Sequence, residues 1–449
     1  MSLSVVRTSH SLVKPYEKTP CTTLQLSAMD NVPVLRCNAR TLHVYRHGGE
    51  GAASAIREAL SRALIPYYPL AGRLKESSNL AQLLEVDCCG EGVWFVDASV
   101  DSTLEAFNYF DDVDAANYSV SHDDLLPNQV HDSVISDQPL VQIQVTRFAC
   151  DGFVMGLIFC HTICDGLGAA QFLNAVGEFA RGLDRLSVEP VWCRDFFVTS
   201  TTTATTTTTP APAPLPMPIV NYKLEEAHVD ISMDQIEKLK QHFQQSTGHR
   251  CSTFEIVAAS FWSCRTKAII INNNNSSAAS DHEEMVKFVF FANCRQLMQP
   301  PLPEGFYGNC FFPVTITASK ECVAKASVVE VVKMIQQGKA KLGEEFDKYR
   351  KSRNGGGGGG GGMEEDPFMQ PLSYNTLFVS EWGRLGFNQV DMGWGPPLHI
   401  VPIQGSPIIP AGIVGWQPEP KRGIRLMSWC VEESHRHFFL SHIMELYTN

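Results

Sequence analysis

Phe159-Cys160-His161-Thr162-Ile163-Cys164-Asp165-Gly166 carries a histidine out of an apolar run and into the start of a helix, and the reading of the whole chain turns on it. Just before it, Val154 to Cys160 is a continuous apolar run of strand length, the pattern of a strand covered on both faces. Leu140 to Phe148 alternates apolar and polar residues, and Cys150-Asp151-Gly152 between the two runs is turn chemistry, so a hairpin is predicted. Downstream, Asp165 suits the N-cap of a helix that carries Leu167, Ala170, Leu173, Gly177 and Ala180 on one stripe and ends near Arg181-Gly182. His161 therefore falls in a strand-to-helix turn, where a polar side chain can face a cleft instead of the core. That makes it a candidate catalytic base, with a structural imidazole bonded to a backbone carbonyl as the plain alternative. Cys160, Cys164 and Asp165 crowd around it like metal ligands, but neighbours on a strand point to opposite faces and no second cluster is paired with them, so no metal is expected. Gly166-Leu167-Gly168-Ala169-Ala170-Gln171 falls short of a dinucleotide fingerprint because Gln171 stands where the third glycine belongs.

The chain of 449 residues exceeds what one core usually organises, so two domains of roughly 200 residues are expected. Hydrophobic content of 44% and charged content of 19% are those of an ordinary soluble globular protein. A net charge of −12 argues against general binding of nucleic acid or anionic membrane, which needs clustered Lys and Arg, and favours a small-molecule ligand. The 14 cysteines are scattered without a framework of spacings, and Met1 to Arg7 opens no apolar signal core, so reduced thiols in the cytoplasm are the simplest account. No run approaches the ~18 to 20 apolar residues of a membrane span, and Leu446 to Asn449 carries no peroxisomal or retention signal.

Along the chain, short strands are expected at Leu24 to Ser27 and Thr41 to Tyr45, and a helix from Ala53 to Ala63 closed by Pro66. Leu83 to Cys88 and Val93 to Val96 flank Gly90-Glu91-Gly92, which signals another hairpin. Ser200 to Thr209 is nearly all threonine and runs into Pro210 to Pro214, a composition that cannot form a core and marks a domain boundary. The expected division is residues 1–195, a linker at 196–218, and residues 219–449, with a segment near 380–405 as a candidate to pack with the first domain. In the second half, Met233 to Phe243 and Ser252 to Lys267 read as helices, the latter with Glu255 at capping-box spacing from Ser252. Asn272 to Ser277 is a polar loop, Met285 to Asn293 a buried strand, and Val323 to Leu342 mostly a helix. Gly355 to Gly362 reads as a surface insertion without a function of its own. Together these elements place the chain in the α/β class.

His161-x-x-x-Asp165-Gly166 after an apolar strand, together with Asp391-Met392-Gly393-Trp394-Gly395 near the C-terminus, resembles the BAHD family of plant acyl-CoA-dependent acyltransferases. The resemblance covers nearly the whole chain. Leu70-Ala71-Gly72-Arg73, Ala292-Asn293-Cys294-Arg295, Tyr307-Gly308-Asn309 and Val379-Ser380-Glu381-Trp382 all match family positions, and the family's linker falls at the Thr/Pro tract. One departure is Met392, where the family usually has Phe; Met is a comparable apolar filler.

The resemblance implies two domains of chloramphenicol-acetyltransferase-like topology with a channel at their interface, and His161 midway along it. It further implies that Asp165 turns away from the reacting centre and pairs with an arginine, assigned to Arg295, so that Asp165 and Gly166 support the site without relaying a proton. Asp391, Gly393, Trp394 and Gly395 would form an architectural turn, its glycines permitting positive φ. Ser380 and Trp382 would line the pocket and offer donors to a developing oxyanion. The start of the helix at Ser252 and Thr253 would favour the phosphates of CoA. The expected protein is then a monomer with no permanent cofactor, taking acyl-CoA as co-substrate and a small-molecule alcohol as acceptor, without nucleic acid or membrane. Leu24 to Asp30 and Gly168 to Leu173 look most like the group acting on benzyl, aliphatic and taxane-type hydroxyls with acetyl or benzoyl donors, and less like transferases using shikimate or quinate. Acylation of an amine, or an inactive homologue that binds an acyl-CoA or a terpenoid, are the alternatives. A serine hydrolase is set aside because the chain has no Gly-x-Ser-x-Gly elbow.

Overall fold

The computed structural model describes residues 4–77, 83–111, 120–128, 138–196, 220–270, 284–353, 366–369, 372–403 and 405–448. The poly-Gly tract, the loop at 272–277 and the linker beyond Phe196 lie outside them. In chain order the elements are β1 (Val6–Val13), β2 (Thr23–Gln25), β3 (Asn38–Tyr45), α1 (Gly49–Ala63), β4 (Arg73–Glu76), β5 (Leu84–Asp87), β6 (Val93–Val100), β7 (Val141–Phe148), β8 (Phe153–Cys160) and α2 (Gly166–Ala180). There follow β9 (Glu225–Glu226), β10 (Val229–Ser232), α3 (Met233–Thr247), α4 (Thr253–Ile270), β11 (Met285–Asn293), β12 (Phe311–Ser319), α5 (Lys320–Lys325) and α6 (Val328–Arg353). The last are β13 (Thr376–Glu381), β14 (His399–Pro402), β15 (Ala411–Trp416), β16 (Gly423–Val431) and α7 (Glu433–Thr448). Among the described residues no helix is long and apolar enough to cross a membrane.

Two compact units result. The first comprises Met1–Thr199 together with two later segments, Arg295–Cys310 and Arg384–Gly405. The second comprises Ser200–Cys294, Phe311–Gly383 and Ser406–Asn449.

In the first unit a six-stranded sheet runs in the order β1-β6-β7-β8-β3-β14, and a separate three-stranded sheet in the order β2-β5-β4. β8 lies between two antiparallel partners, β7 and β3, and seven of its eight residues are buried, which is why its sequence is apolar throughout. β7 pairs with β8 as a hairpin, but its alternation does not mark a solvent face: Gln142, Gln144 and Thr146 are buried. Gln144 is satisfied there, accepting from Arg7 and donating to the Asp124 carbonyl and to Thr146. Asp151 in the turn after β7 accepts from the backbone N–H groups of Gly48 and Glu50 and so places a carboxylate at the N-terminus of α1.

The hairpin expected across Gly90-Glu91-Gly92 does not form. β5 pairs with β2 and β4, whereas β6 pairs with β1 and β7 in the larger sheet. Gly90 and Gly92 have positive φ, so they do turn the chain, but they turn it from one sheet into the other. Turn chemistry reports a local bend and carries no information on which strand pairs with which.

The second unit has a seven-stranded sheet in which β10-β16-β15-β13-β11-β12 is the main path and β9 pairs with β16. α4 supplies much of its core through Ile256, Val257, Phe261 and Trp262, packed with Phe288, Leu377 and Phe439. The helix expected over Val323 to Leu342 is broken at Ala326-Ser327: Ser327 and Glu330 exchange hydrogen bonds as a new capping box that starts α6.

Candidate active site

β8 ends at Cys160, and His161 to Ile163 form the turn that leads into α2. His161 is half-buried. Its backbone N–H donates to the Cys37 carbonyl at 2.9 Å, and the Thr162 hydroxyl donates to the Leu35 carbonyl at 3.0 Å, so the turn is bonded to the strand entry of β3.

Two buried ion pairs hold this turn from behind. In the first, Asp165 caps α2 by accepting from Gly168 N–H and takes a bidentate hydrogen-bonded pair from Arg295 at 2.8 and 2.9 Å, plus the Cys310 N–H at 3.2 Å. Burial pushes the Asp165 carboxyl up, but the Arg295 guanidinium and the two backbone donors outweigh it and hold the group below its ordinary value. Burial likewise acts to lower Arg295, and the carboxylate raises it above its usual value. Arg295 also donates to the Gly308 carbonyl at 2.7 Å. With every carboxylate oxygen occupied, Asp165 points its charge into this pair.

The second pair joins Asp30 and Arg194, with side chains 0% and 2% exposed, at 2.9 Å. Arg194 reaches on to the Ile163 carbonyl at 2.8 Å. Asn309 bridges this pair and the turn: its side-chain N–H donates to Asp30 at 2.8 Å, to the His161 carbonyl at 2.9 Å and to the Thr162 carbonyl at 3.2 Å. The Asp30 carboxylate is completed by Ser27 N–H and hydroxyl. Gly308 is what lets the cation in, because a Cβ there would sit 1.6 Å from an Arg194 guanidinium nitrogen. Gly168 has a similar reason, its missing Cβ leaving room for the Tyr307 carbonyl 2.0 Å away, so the glycines after His161 serve close packing.

Sequence reasoning did not single out Asp30, Arg194 or Asn309 as site residues. The available signals were an arginine between Trp192 and Phe196, whose guanidinium lies 4.3 Å over the Trp192 ring, and an acidic residue following apolar Met29.

The structure brings His161, Asp165, Gly166 and Arg295 together. Asp391, Gly393, Trp394 and Gly395 lie elsewhere in the same unit. The Asp391 carboxylate accepts from the Gly393 and Gly395 N–H groups at 2.8 and 2.9 Å, closing a tight turn with φ of 106° and 90° at the two glycines. The Asp391 carbonyl accepts from Arg181 just past the end of α2, a helix of 15 residues and about 22 Å, so this motif is far from the His161 turn. Trp394 packs edge-on to Phe153 at 5.9 Å, and Met392 is buried as the expected filler.

Ser380 and Trp382 lie in the second unit, on β13 and just after it. Ser252 and Thr253 stand at the start of α4, where Ser252 and Glu255 exchange capping-box hydrogen bonds and Lys339 pairs with Glu255. That helix end is thus already supplied with a carboxylate. In the first unit a cleft of ≈ 590 Å³ opens along α2, lined by Gln171, Asn174 and Glu178 with Arg295, Phe306 and Leu385. Its volume suits a small molecule.

Residues 3–410 match the model of the transferase family. The chain is 39% identical to acyl transferase 4 of Oryza sativa subsp. japonica over 97% of both chains. It is 34% identical to the 3'-N-debenzoyl-2'-deoxytaxol N-benzoyltransferase of Taxus canadensis, over 88% of this chain and 84% of that one. The taxadien-5-alpha-ol O-acetyltransferase of Taxus chinensis is also 34% identical, over 88% and 85%. Among solved structures, vinorine synthase superposes with a TM-score of 0.71 over 99% of this chain and 98% of that one, at 19% identity, and so shares the fold. The class these matches define is acyltransferase. Within it, the chain belongs to the BAHD family.

Proposed function

We propose that this acyltransferase takes an acetyl, benzoyl or similar acyl group from acyl-CoA and passes it to a hydroxyl of a small plant metabolite, with His161 as general base. The observation that carries the reading is the turn at His161, a half-buried histidine whose own backbone and both neighbouring segments are tied to the Asp165–Arg295 and Asp30–Arg194–Asn309 clusters. A base must be held close to its working geometry to act, and a turn anchored by buried charges does that.

In the proposed reaction His161 removes the hydroxyl proton as the oxygen attacks the thioester carbonyl. The tetrahedral intermediate then collapses, breaking the C–S bond, and the imidazolium returns the proton to the departing thiolate. No covalent enzyme intermediate forms. Asp165 keeps its negative charge throughout, because its lowered pKa and its fixed partner leave it no proton to relay. The Ser380 hydroxyl or the Trp382 indole N–H is retained as oxyanion donor on the family resemblance, and Ser252 and Thr253 as CoA ligands because a helix N-terminus favours phosphate. Acylation of an amine is the second reading, favoured by the relative named an N-benzoyltransferase. Both use the same base and the same acyl donor.

The test is release of free CoA thiol from acetyl-CoA and benzoyl-CoA against benzylic, aliphatic and terpenoid alcohols and matched amines, with the products weighed by mass spectrometry. Ester products that require both acceptor and enzyme support the reading; amides alone move it to the second; CoA binding with no transfer to any acceptor overturns it in favour of a binding role.

A further inference from the structure

β2 and β5 pair antiparallel with Thr23 opposite Asp87 and Leu24 opposite Val86. The ladder runs one step further, since Cys88 N–H donates to the Thr22 carbonyl at 2.9 Å. The same register then sets Cys21 opposite Cys89, as the pair next to a hydrogen-bonded one, where facing Cα atoms approach to about 4.5 Å. Alternation along the strand turns Cys88 inward, where it is buried, and leaves Cys89 outward. Cys21 and Cys89 are both exposed, and their sulfurs lie 2.8 Å apart. Two thiols in that position need only a small approach to reach the covalent S–S distance of about 2.05 Å, and the Cα spacing of about 4.5 Å characteristic of such a facing pair falls in the range disulfides use.

We propose that Cys21 and Cys89 form a redox modification site, closed to a disulfide by a two-electron oxidant such as hydrogen peroxide or a low-molecular-weight disulfide. With peroxide, one sulfur attacks an oxygen and becomes a sulfenic acid, releasing water; the second sulfur displaces the hydroxyl as a second water, so two thiols and one peroxide yield one disulfide and two waters. With oxidised glutathione, two exchange steps yield the protein disulfide and two glutathione thiols. The link ties the start of β2 to the end of β5. The chain leaving β2 at Gln25 runs through Leu26 and Ser27 into the turn that holds Asp30, so the oxidised form fastens the segment that delivers Asp30 to the cluster behind His161.

The experiment treats the purified full chain with oxidised glutathione or hydrogen peroxide, blocks remaining thiols with N-ethylmaleimide, and maps unreduced peptides by mass spectrometry. The expected product is a peptide pair joined through Cys21 and Cys89, about 2 Da lighter than the sum of its free peptides. Dithiothreitol should release it, and it should be absent from Cys21→Ser and Cys89→Ser proteins, which keep the wild-type melting temperature in reducing buffer. Oxidation should raise the melting temperature of the wild type and slow amide exchange across Thr23 to Asn31, and do neither in the variants. Recovery of Cys21 and Cys89 as separate glutathione adducts, as blocked thiols while other cysteines oxidise, or joined to different cysteines, would overturn the proposal.

Discussion

Asp165→Asn replaces one carboxylate oxygen with an amide and leaves the shape of the side chain almost unchanged. In the wild type, Oδ1 accepts from Gly168 N–H and one Arg295 nitrogen, and Oδ2 accepts from the other Arg295 nitrogen and Cys310 N–H. Whichever oxygen becomes –NH₂, a donor then faces two donors, and the Arg295 cation, 12% exposed, loses its counter-charge. Breaking a buried pair in this way costs about 3–5 kcal/mol. For a unit of this size that is a fall in melting temperature on the order of 10 °C. Differential scanning fluorimetry in neutral buffer reads it directly. Acid titration gives an independent check, because a carboxyl held below its ordinary value stabilises the fold fully above its unfolded pKa, about 3.9, and loses that contribution as pH falls through the lower folded value. The stability gap between wild type and Asp165→Asn should therefore be constant near neutrality and narrow below about pH 4. An Asn variant that melts with the wild type but has lost its turnover would refute the reasoning and give Asp165 a chemical role.

Asn309→Ala leaves the His161 and Thr162 carbonyls and the Asp30 carboxylate without a bridging donor, costing about 1–3 kcal/mol, and should lower kcat more than it raises KM; steady-state kinetics beside a melting curve reads both. Gly168→Ala drives a Cβ to 2.0 Å from the Tyr307 carbonyl and should cost about 1–3 kcal/mol or more, while Gly343→Ala on α6, with nothing within 4 Å, should be neutral or gain up to ~1 kcal/mol; opposite shifts in melting temperature are the expected pair of results. Ser252→Ala removes the cap of α4 at a cost of about 1 kcal/mol and should also raise KM for acyl-CoA; a lower melting temperature with unchanged KM would assign Ser252 to capping alone.

The turn at His161 was legible because local patterns mark it: an apolar run covered on both faces, a capping aspartate and a helical stripe are all features of neighbouring residues. The capping box at Ser252 was legible for the same reason. Partners distant in sequence were not. Asp30 and Arg194 meet across 164 positions and Asn309 joins them from 279 positions beyond Asp30, and no periodicity links such residues. Arg295 was placed opposite Asp165 only through the family resemblance. The false hairpin after β5 has the same root, since a glycine turn looks alike whether the following strand pairs back or leaves for another sheet. The alternation along β7 pointed to the hairpin that forms, but it could not say which side chains are covered, because burial of a satisfied amide such as Gln144 leaves no mark in the sequence.

The most direct test of the central claim compares wild type with His161→Ala in single-turnover thiol release, using whichever donor and acceptor the wild type accepts, alongside melting temperature and acyl-CoA affinity. The account predicts a rate lower by roughly 10² to 10⁴ with folding and acyl-CoA binding nearly unchanged, the loss expected of a general base. An alanine variant that transfers the acyl group at close to the wild-type rate would remove His161 from that role.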